Sequence, residues 1–202
     1  MGIGITTTSF WVVDIVRECR CIPEVREILK IEKELSYVTY MHSISTAIYS
    51  AMIADSYTQD LDILKKITTG ALVHDVGKAA IAKNVLEKKG KLTDAEIKSI
   101  RKHCVIGNEM IAGMFDKEVH QIVLMHHEKL DGSGYPFGTS EIPLYVQVVT
   151  VADMYDALIS NRCYKKAYSH EKAIEILRKE AIKNKINIQY VERINALRQP
   201  NK

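Results

Sequence analysis

Apolar residues recur every three or four positions over most of this chain, which is the spacing of a buried stripe on an α-helix. The pattern predicts one long amphipathic helix from about Ser36 to Ser56 and a second from about Leu61 to Asp75. A third long helix is predicted from Ile142 to about Ser160. No stretch of useful length alternates strictly between apolar and polar residues, so the pattern predicts an all-α protein, a helical bundle.

Local signals mark where several helices begin and end. Pro23 suits the first turn of a helix within residues 1–35, and Thr93-x-x-Glu96 is a capping box before the helix that leads to His103. Ser169 can cap a helix from about His170 to Glu180, and Gly77 can terminate the helix that starts at Leu61. We therefore expect a short N-terminal helical extension over 1–35, a main bundle over 36–182 and a polar tail over 183–202.

The composition of the chain indicates which partners to expect and in which cellular compartment the protein works. The chain has 202 residues, 47% of them hydrophobic, and a formal net charge of +3 that gathers into no basic stripe. We therefore expect no nucleic acid polymer as a partner. The four cysteines include no C-x-x-C pair, which predicts reduced thiols, with Cys104 a packing residue. No signal peptide or membrane span is evident, which predicts a cytoplasmic protein without a membrane partner.

Candidate chemistry begins with two adjacent histidines, His126 and His127. They follow an apolar helical stripe that includes Ile122 and Val123, and they lie one turn beyond it, so both rings are expected to point inward. An inward imidazole needs a partner for each nitrogen. A metal ion satisfies that need, and a pair of hydrogen-bonded core histidines is the alternative.

Further histidines and aspartates lie at or near the inner edges of five predicted helices, and they are too many for one mononuclear site. Two metal ions are the economical explanation, and a nitrogen and oxygen ligand set without cysteine suits iron, manganese or zinc. One aspartate can bridge two ions about 3.5–4 Å apart, and such a pair activates water as hydroxide for phosphoester hydrolysis. The residues are His42, His74, Asp75, His103, His126, His127 and Asp153.

The order and spacing of these residues resemble those of the HD-GYP domain, a branch of the HD phosphohydrolases whose members are cyclic-di-GMP phosphodiesterases. The resemblance runs from about Tyr37 to Leu177. It includes His74-Asp75 followed by Gly77-Lys78, and His126-His127 followed by D-G-S-G-Y-P, which ends at Pro136. Any one of these motifs is weak evidence, whereas their combined order is specific.

The resemblance implies an HD-domain helical bundle over 36–182 and a role for each matching residue. Lys78 would lie near the scissile phosphate and stabilise its charge. The resemblance implies two divalent metal ions, iron or manganese. The first ion would take His42, His74, Asp75 and Asp153. The second ion would take His103, His126, His127 and the bridging Asp75.

The resemblance also implies residues that bind the substrate. Gly134, Tyr135 and Pro136 would shape the guanine and phosphate pocket, although the same letters would form a plain turn in any protein. Arg162 and Lys165 match basic positions that hold ligand phosphates, with a solvated charged loop as the alternative.

The implied reaction is hydrolysis of cyclic-di-GMP to linear pGpG, with GMP as a further product left open. Two alternatives stay open: hydrolysis of another cyclic dinucleotide or nucleotide phosphate, and a non-catalytic module that binds a dinucleotide or docks on a partner. The chain departs from the family's pattern at Cys163, at Gln147 and in the short loop Phe137–Glu141. These differences affect the expected binding of substrate more than the expected binding of metal. A diguanylate cyclase or separate regulatory protein, or a second copy of the chain, is the expected partner.

Domains that resemble this one and hold a third metal ion supply an extra carboxylate one helical turn before the first histidine, since residues four apart share a helix face. That position is Val38, which offers no lone pair. Glu34 lies two turns before His42 and Asp55 lies beyond it, so neither replaces the missing ligand from the same face. The sequence therefore predicts a two-metal centre.

Overall fold

The computed structural model describes residues 8–88, 90–161 and 166–197, and these residues form an all-α protein without a β-strand. Arg162 and Lys165 lie outside the described residues. A short 3₁₀ segment, Val76–Ala80, follows the fourth helix. The α-helices are α1 Thr8–Cys21, α2 Pro23–Leu35, α3 Tyr37–Ala54, α4 Leu61–Val73, α5 Lys83–Leu86, α6 Asp94–Arg101, α7 His103–Met110, α8 Lys117–Met125, α9 Leu144–Ile159, α10 His170–Ile182 and α11 Ile188–Leu197.

Helix α3 lies at the centre of the bundle, where it packs against α4 on one side and α9 on the other. Its start is fixed by Ser36, whose Oγ accepts a hydrogen bond from the Thr39 backbone N–H at 3.3 Å. Ala47 and Ala51 are fully buried on it. Side chains this small let neighbouring helices approach closely, and the packing of α3 against α9 brings His42 and Asp153 together.

Helix α4 ends at Val73, two residues earlier than the sequence predicts, and the chain then turns through the 3₁₀ segment. The prediction that Gly77 terminates α4 is wrong, because Gly77 lies inside this segment. A Cβ atom at Gly77 would lie 2.0 Å from the backbone oxygen of His103 and 2.5 Å from the backbone nitrogen of Gly107. Gly77 therefore allows the 3₁₀ segment to pack directly against the backbone of α7.

Other end signals are confirmed. Thr93 and Glu96 form the capping box at the start of α6, and Ser169 caps α10 by accepting a hydrogen bond from the Lys172 backbone N–H. The third long helix begins at Leu144, two residues later than predicted, because Pro143 occupies its N-cap position.

Both ends of the described chain pack on the central bundle. Helices α1 and α2 contact α3 and α4, and α2 also contacts the 3₁₀ segment. Helix α11 lies within the residues expected to be a polar tail, yet it buries Tyr190, Val191 and Ile194 against α3, α9 and α10. The division at residues 35 and 183 stays a prediction. None of the described helices has both the length and the apolar character needed to cross a bilayer.

Candidate metal centre

The seven predicted metal ligands converge at one point inside the bundle. His42 and Asp153 project from the middle of α3 and α9, and the others come from helix ends: His74 and Asp75 directly after α4, His103 at the start of α7, and His126 and His127 directly after α8. Six of the seven are buried, and the His127 side chain is 23% exposed. The expectation that both rings of the adjacent pair point inward holds fully for His126 and partly for His127.

Asp75 lies between two groups of ligands, and each of its carboxylate oxygens faces one group. Its Oδ2 is 3.4 Å from His74 Nε2 and 3.8 Å from His42 Nε2, whereas its Oδ1 is 3.5 Å from His103 Nε2 and 4.0 Å from His126 Nε2. We call His42, His74, Asp75 and Asp153 the first ligand set. The second ligand set is His103, His126, His127 and Asp75.

The first ligand set is oriented largely by carboxylates. His42 donates from Nδ1 to Asp156 Oδ2 at 2.6 Å, and its Nε2 lies 3.0 Å from Asp153 Oδ1. His74 donates from Nδ1 to the Ala71 backbone oxygen at 2.9 Å, which leaves its Nε2 a lone pair with no hydrogen-bond partner in the described structure. Asp156 thus acts as a structural acceptor, and it fixes the His42 ring in the orientation that a metal ligand needs.

The second ligand set is oriented by backbone carbonyls. His103 donates from Nδ1 to the Ile100 oxygen at 2.7 Å, and His126 donates from Nδ1 to the Val123 oxygen at 3.0 Å. Both Nε2 atoms therefore carry lone pairs, and they face each other at 3.3 Å. Two lone pairs and the Asp75 Oδ1 oxygen cannot satisfy one another, so the donor set fits a divalent cation.

The titration behaviour of the second set favours metal binding. Burial lowers the pKa of His126 well below its ordinary value, and the neighbouring His127 ring adds to the effect. Burial also lowers the pKa of His103 and of His74, and it lowers the pKa of His127 to about 3. Neutral imidazole is the form that binds metals, so these rings are held in the ligating state at neutral pH.

The first set is more highly charged. Burial would lower the pKa of His42, but hydrogen bonds to Asp153 and Asp156 outweigh burial and raise it to about 9. Burial would raise the pKa of Asp75, yet His74, Lys78 and other nearby groups hold it well below its usual range. Burial likewise opposes ionisation of Asp153, and the His42 hydrogen bond keeps its pKa well below normal. Both carboxylates are therefore ionised.

Lys78 connects the first set to a cavity of about 870 Å³. Its Nζ lies 2.5 Å from Asp75 Oδ2, and its side chain is 20% exposed. Lys78, His42, Asp75 and the half-exposed Val38 are among the residues that line the cavity. A cavity of this size accommodates a nucleotide-sized ligand directly beside the charged groups.

The loop after the paired histidines packs on the second set. The Tyr135 ring lies 4.7 Å from the His127 ring at a tilt of 31°, and the Arg101 guanidinium lies 5.0 Å from the centre of Tyr135. A Cβ atom at Gly134 would lie 2.4 Å from the Glu128 Cα, so glycine is required there. The tyrosine thus touches a predicted ligand, and its loop is also a tightly packed turn.

Three residues near the site were not found from the sequence. Glu128 is fully buried and accepts hydrogen bonds from the backbone N–H groups of Phe137, Gly138 and Thr139, so it ties the loop to the end of α8. Glu32 on α2 is 1% exposed, and burial raises its pKa to about 8 against the lowering effect of the Ser43 hydroxyl. Glu32 lies on a part of the chain without a motif, and Glu128 lies inside the motif stretch, but its residue type alone does not indicate that the carboxylate binds the loop backbone.

The third is Cys104, which the sequence predicts to be a packing residue and which is fully buried. Its Sγ lies 3.5 Å from His103 Nε2, and single donor atoms of Cys104, His103, His126 and His127 all lie within 4.8 Å of one another. The thiol of Cys104 therefore lies among the possible ligands, and the exclusion of cysteine from the ligand set stays a prediction. The first turn of α7 brings the thiol and the adjacent imidazole to the same point. Burial raises the pKa of the Cys104 thiol.

Residues 25–187 match the model of the HD domain family. A cyclic di-GMP phosphodiesterase of Pseudomonas aeruginosa is 36% identical over 140 residues, which are 67% of this chain and 34% of that protein. A 3'3'-cGAMP-specific phosphodiesterase of Vibrio cholerae is 35% identical over 152 residues, which are 73% of this chain and 33% of that protein. The chain spans about a third of the length of these curated relatives.

A solved structure gives an independent comparison of the fold. An HDG"Y"P protein from Bdellovibrio bacteriovorus superposes with a TM-score of 0.67 and 18% sequence identity, covering 95% of this chain and 69% of that chain. The helical arrangement described above is therefore a known fold.

Proposed function

Because this chain belongs to the HD domain family, we propose that it is a metal-dependent phosphodiesterase that hydrolyses cyclic di-GMP to linear pGpG. The observation that carries the proposal is the position of Asp75, with one carboxylate oxygen facing each ligand set. The curated relatives with this activity support the substrate.

Two divalent cations, iron or manganese, would supply Lewis acidity toward the phosphate and a bound water of lowered pKa. Asp75 would hold both ions, His42, His74 and Asp153 would hold the first, and His103, His126 and His127 the second. Val38 is 53% exposed, lines the cavity and has no donor atom, which supports two ions rather than three.

Lys78 would act on the phosphate itself. In the described structure its ammonium group pairs with Asp75 Oδ2, the oxygen that faces the first ligand set. With a cation held by Asp75, that oxygen would be a weaker partner for Lys78, and the ammonium group would be able to turn to a phosphate oxygen in the adjoining cavity. Lys78 would then stabilise the negative charge that develops in the transition state.

The remaining predicted contacts concern the grip on the substrate. Gly134, Tyr135 and Pro136 would form one wall of the nucleotide pocket, with Tyr135 offering an aromatic face beside the second ligand set. Arg162 and Lys165 would hold phosphates from a segment outside the described residues. Such contacts would decide which nucleotide base is accepted and how the phosphates are positioned.

A second candidate substrate is 3'3'-cGAMP, which the relative from Vibrio cholerae is named for. Both candidates require the same metal chemistry and differ only in one base. The third reading, a non-catalytic binding module, is disfavoured because the full set of convergent ligands is present and oriented.

The test is a product analysis. Anaerobically purified protein is incubated with cyclic di-GMP, 3'3'-cGAMP and cyclic di-AMP in turn, and the products are resolved by chromatography. We expect linear pGpG from cyclic di-GMP, and no product after treatment with a chelator. Cleavage of 3'3'-cGAMP alone would establish the second candidate. Intact dinucleotides with metal-loaded protein would contradict the proposed function.

A further inference from the structure

Cys104 is the second residue of α7 and is fully buried beside the second ligand set. It is a free thiol, and the histidine before it, His103, is a predicted ligand. Adjacent residues on a helix normally point about 100° apart. Here, at the start of the helix, both side chains reach the same point.

Two separations among the donor atoms match the edges of a tetrahedron around a bound metal ion. With metal–nitrogen bonds of about 2.0–2.1 Å and a metal–sulfur bond of about 2.3 Å, two nitrogen donors lie about 3.3–3.4 Å apart and a nitrogen and a sulfur about 3.5–3.6 Å apart. The His103 and His126 Nε2 atoms are 3.3 Å apart, and the Cys104 Sγ and His103 Nε2 atoms are 3.5 Å apart.

A second observation points independently to a cation at the same place. Asp75 Oδ1 is buried, has no hydrogen-bond partner in the described structure and faces His103 and His126. The Nδ1 atoms of both rings are already used by backbone carbonyls, so neither Nε2 can donate a proton to this oxygen. A cation at this point would satisfy the oxygen, both nitrogens and the sulfur together.

We propose that Cys104 is a ligand of the second metal ion, which makes that site a mixed sulfur, nitrogen and oxygen site. The proposal rests on the metal centre of the proposed function. The Sγ forms a bond to the cation, and the thiol proton leaves to solvent. Sulfur favours Zn²⁺, Co²⁺ or Fe²⁺ over Mn²⁺ or Mg²⁺, whereas the first ligand set contains only nitrogen and oxygen donors. The two positions of one centre therefore differ in metal preference.

The test uses Co²⁺ as a spectroscopic probe. Metal-free protein is titrated with Co²⁺ under anaerobic conditions while absorbance and bound metal are measured. We expect thiolate-to-cobalt charge-transfer absorption in the near ultraviolet, growing with occupation of one of two sites. Cys104→Ser should abolish that absorption and weaken Co²⁺ binding at one site by at least the roughly 10- to 100-fold known for outer-shell partners.

Cys19→Ser is the matched control. Cys19 is also a buried free cysteine, but it lies on α1, where its thiol contacts the Lys65 backbone oxygen. Its substitution should leave the absorption unchanged. Two bound Co²⁺ ions without the absorption in the wild-type protein, or an absorption that persists in Cys104→Ser, would overturn the role of Cys104 and leave the proposed phosphodiesterase intact. A protein that binds no Co²⁺ would overturn both.

Discussion

The two ligand sets share Asp75 but are built in different ways. In the first, His42 lies between the carboxylates of Asp153 and Asp156, and its pKa is raised to about 9. In the second, His103 and His126 are held by backbone carbonyls, and burial lowers their pKa values. His42 of the first set is thus charged and oriented by side chains, while His103 and His126 of the second set are neutral and oriented by the main chain.

The two ligand sets should therefore respond differently to substitutions and to metal binding. Side-chain substitutions around the ligands can loosen the first set, whereas the backbone acceptors of the second set change only if the helix ends move. The first set would lose a proton from His42 when a cation binds, whereas the imidazoles of the second set are already neutral and the proton lost there would come from the Cys104 thiol.

The largest expected effect comes from the residue that both halves share. Asp75→Asn keeps the shape of the side chain but removes the charge that faces both sets, so both ions should be lost and hydrolysis should fall at least about 10³-fold. Metal analysis and turnover of the purified variant measure this. Asp62→Asn is the control, since that side chain is 70% exposed and pairs with Lys66. A variant with two bound ions and normal turnover would remove Asp75 from the bridging position.

Gly77→Ala should push the segment that carries Asp75 away from α7, which carries His103. The added Cβ would meet the His103 backbone oxygen at 2.0 Å, so the 3₁₀ segment after Asp75 must move away from α7. We expect a loss of about 1–3 kcal/mol in the free energy of unfolding, together with weaker binding of both ions. The control is Gly90→Ala, where no atom lies within 4 Å of the new Cβ. Equal stability of the two variants would show that this close approach is not needed.

Lys78→Met should leave a metal ion bound at each ligand set and slow the reaction. Methionine keeps the length of the side chain without its charge, so we expect two bound ions and a turnover number lower by about 10²- to 10³-fold. The control is Lys83→Met, which removes a charge from the same cavity at a side chain that is 65% exposed. Weaker substrate binding with unchanged turnover would reassign Lys78 to phosphate binding alone.

The smallest and most selective effect is expected from Asp156→Asn, which acts on the first half only. The variant weakens the acceptor that orients His42, so affinity for the first ion should fall about 10- to 100-fold while the second ion stays bound. Metal titration resolves the two sites. Equal loss at both sites would show that the halves are not independently supported.

The same variant should change how stability depends on pH in the metal-free protein. Because the folded pKa of His42 is raised to about 9, its contribution to stability is fully present below about pH 6.5 and is lost as the pH rises through 9. Asp156→Asn should lower the pKa of His42 and reduce that loss. Urea unfolding at several pH values between 6 and 9.5, in the presence of chelator, measures it.

The sequence was sufficient for features that depend on local spacing. Helix periodicity, the Thr93–Glu96 capping box and the Ser169 cap are local signals, and each predicted an element that the structure contains. The seven predicted ligands could be collected because their motifs have a specific order. Their convergence around Asp75 follows from helix packing, which the resemblance supplied and periodicity alone could not.

What the sequence did not reveal depends on contacts between distant backbones. In the sequence Gly77 indicates only a helix end, but in the fold it is the contact point between the 3₁₀ segment and α7. Cys104 directly follows the predicted ligand His103, a spacing that normally places two side chains on different helix faces. Glu32 comes from α2, whose packing on the 3₁₀ segment carries no local signal. Each position becomes informative only after the helices are placed.

The most direct test of the account is anomalous diffraction at the metal absorption edges, on crystals of anaerobically prepared protein, combined with metal-to-protein stoichiometry. The account predicts two peaks about 3.5–4 Å apart, one on each side of the Asp75 carboxylate, and a stoichiometry of two. A single peak would contradict the bridging role of Asp75, and a third fully occupied peak next to Val38 would contradict a centre of two ions.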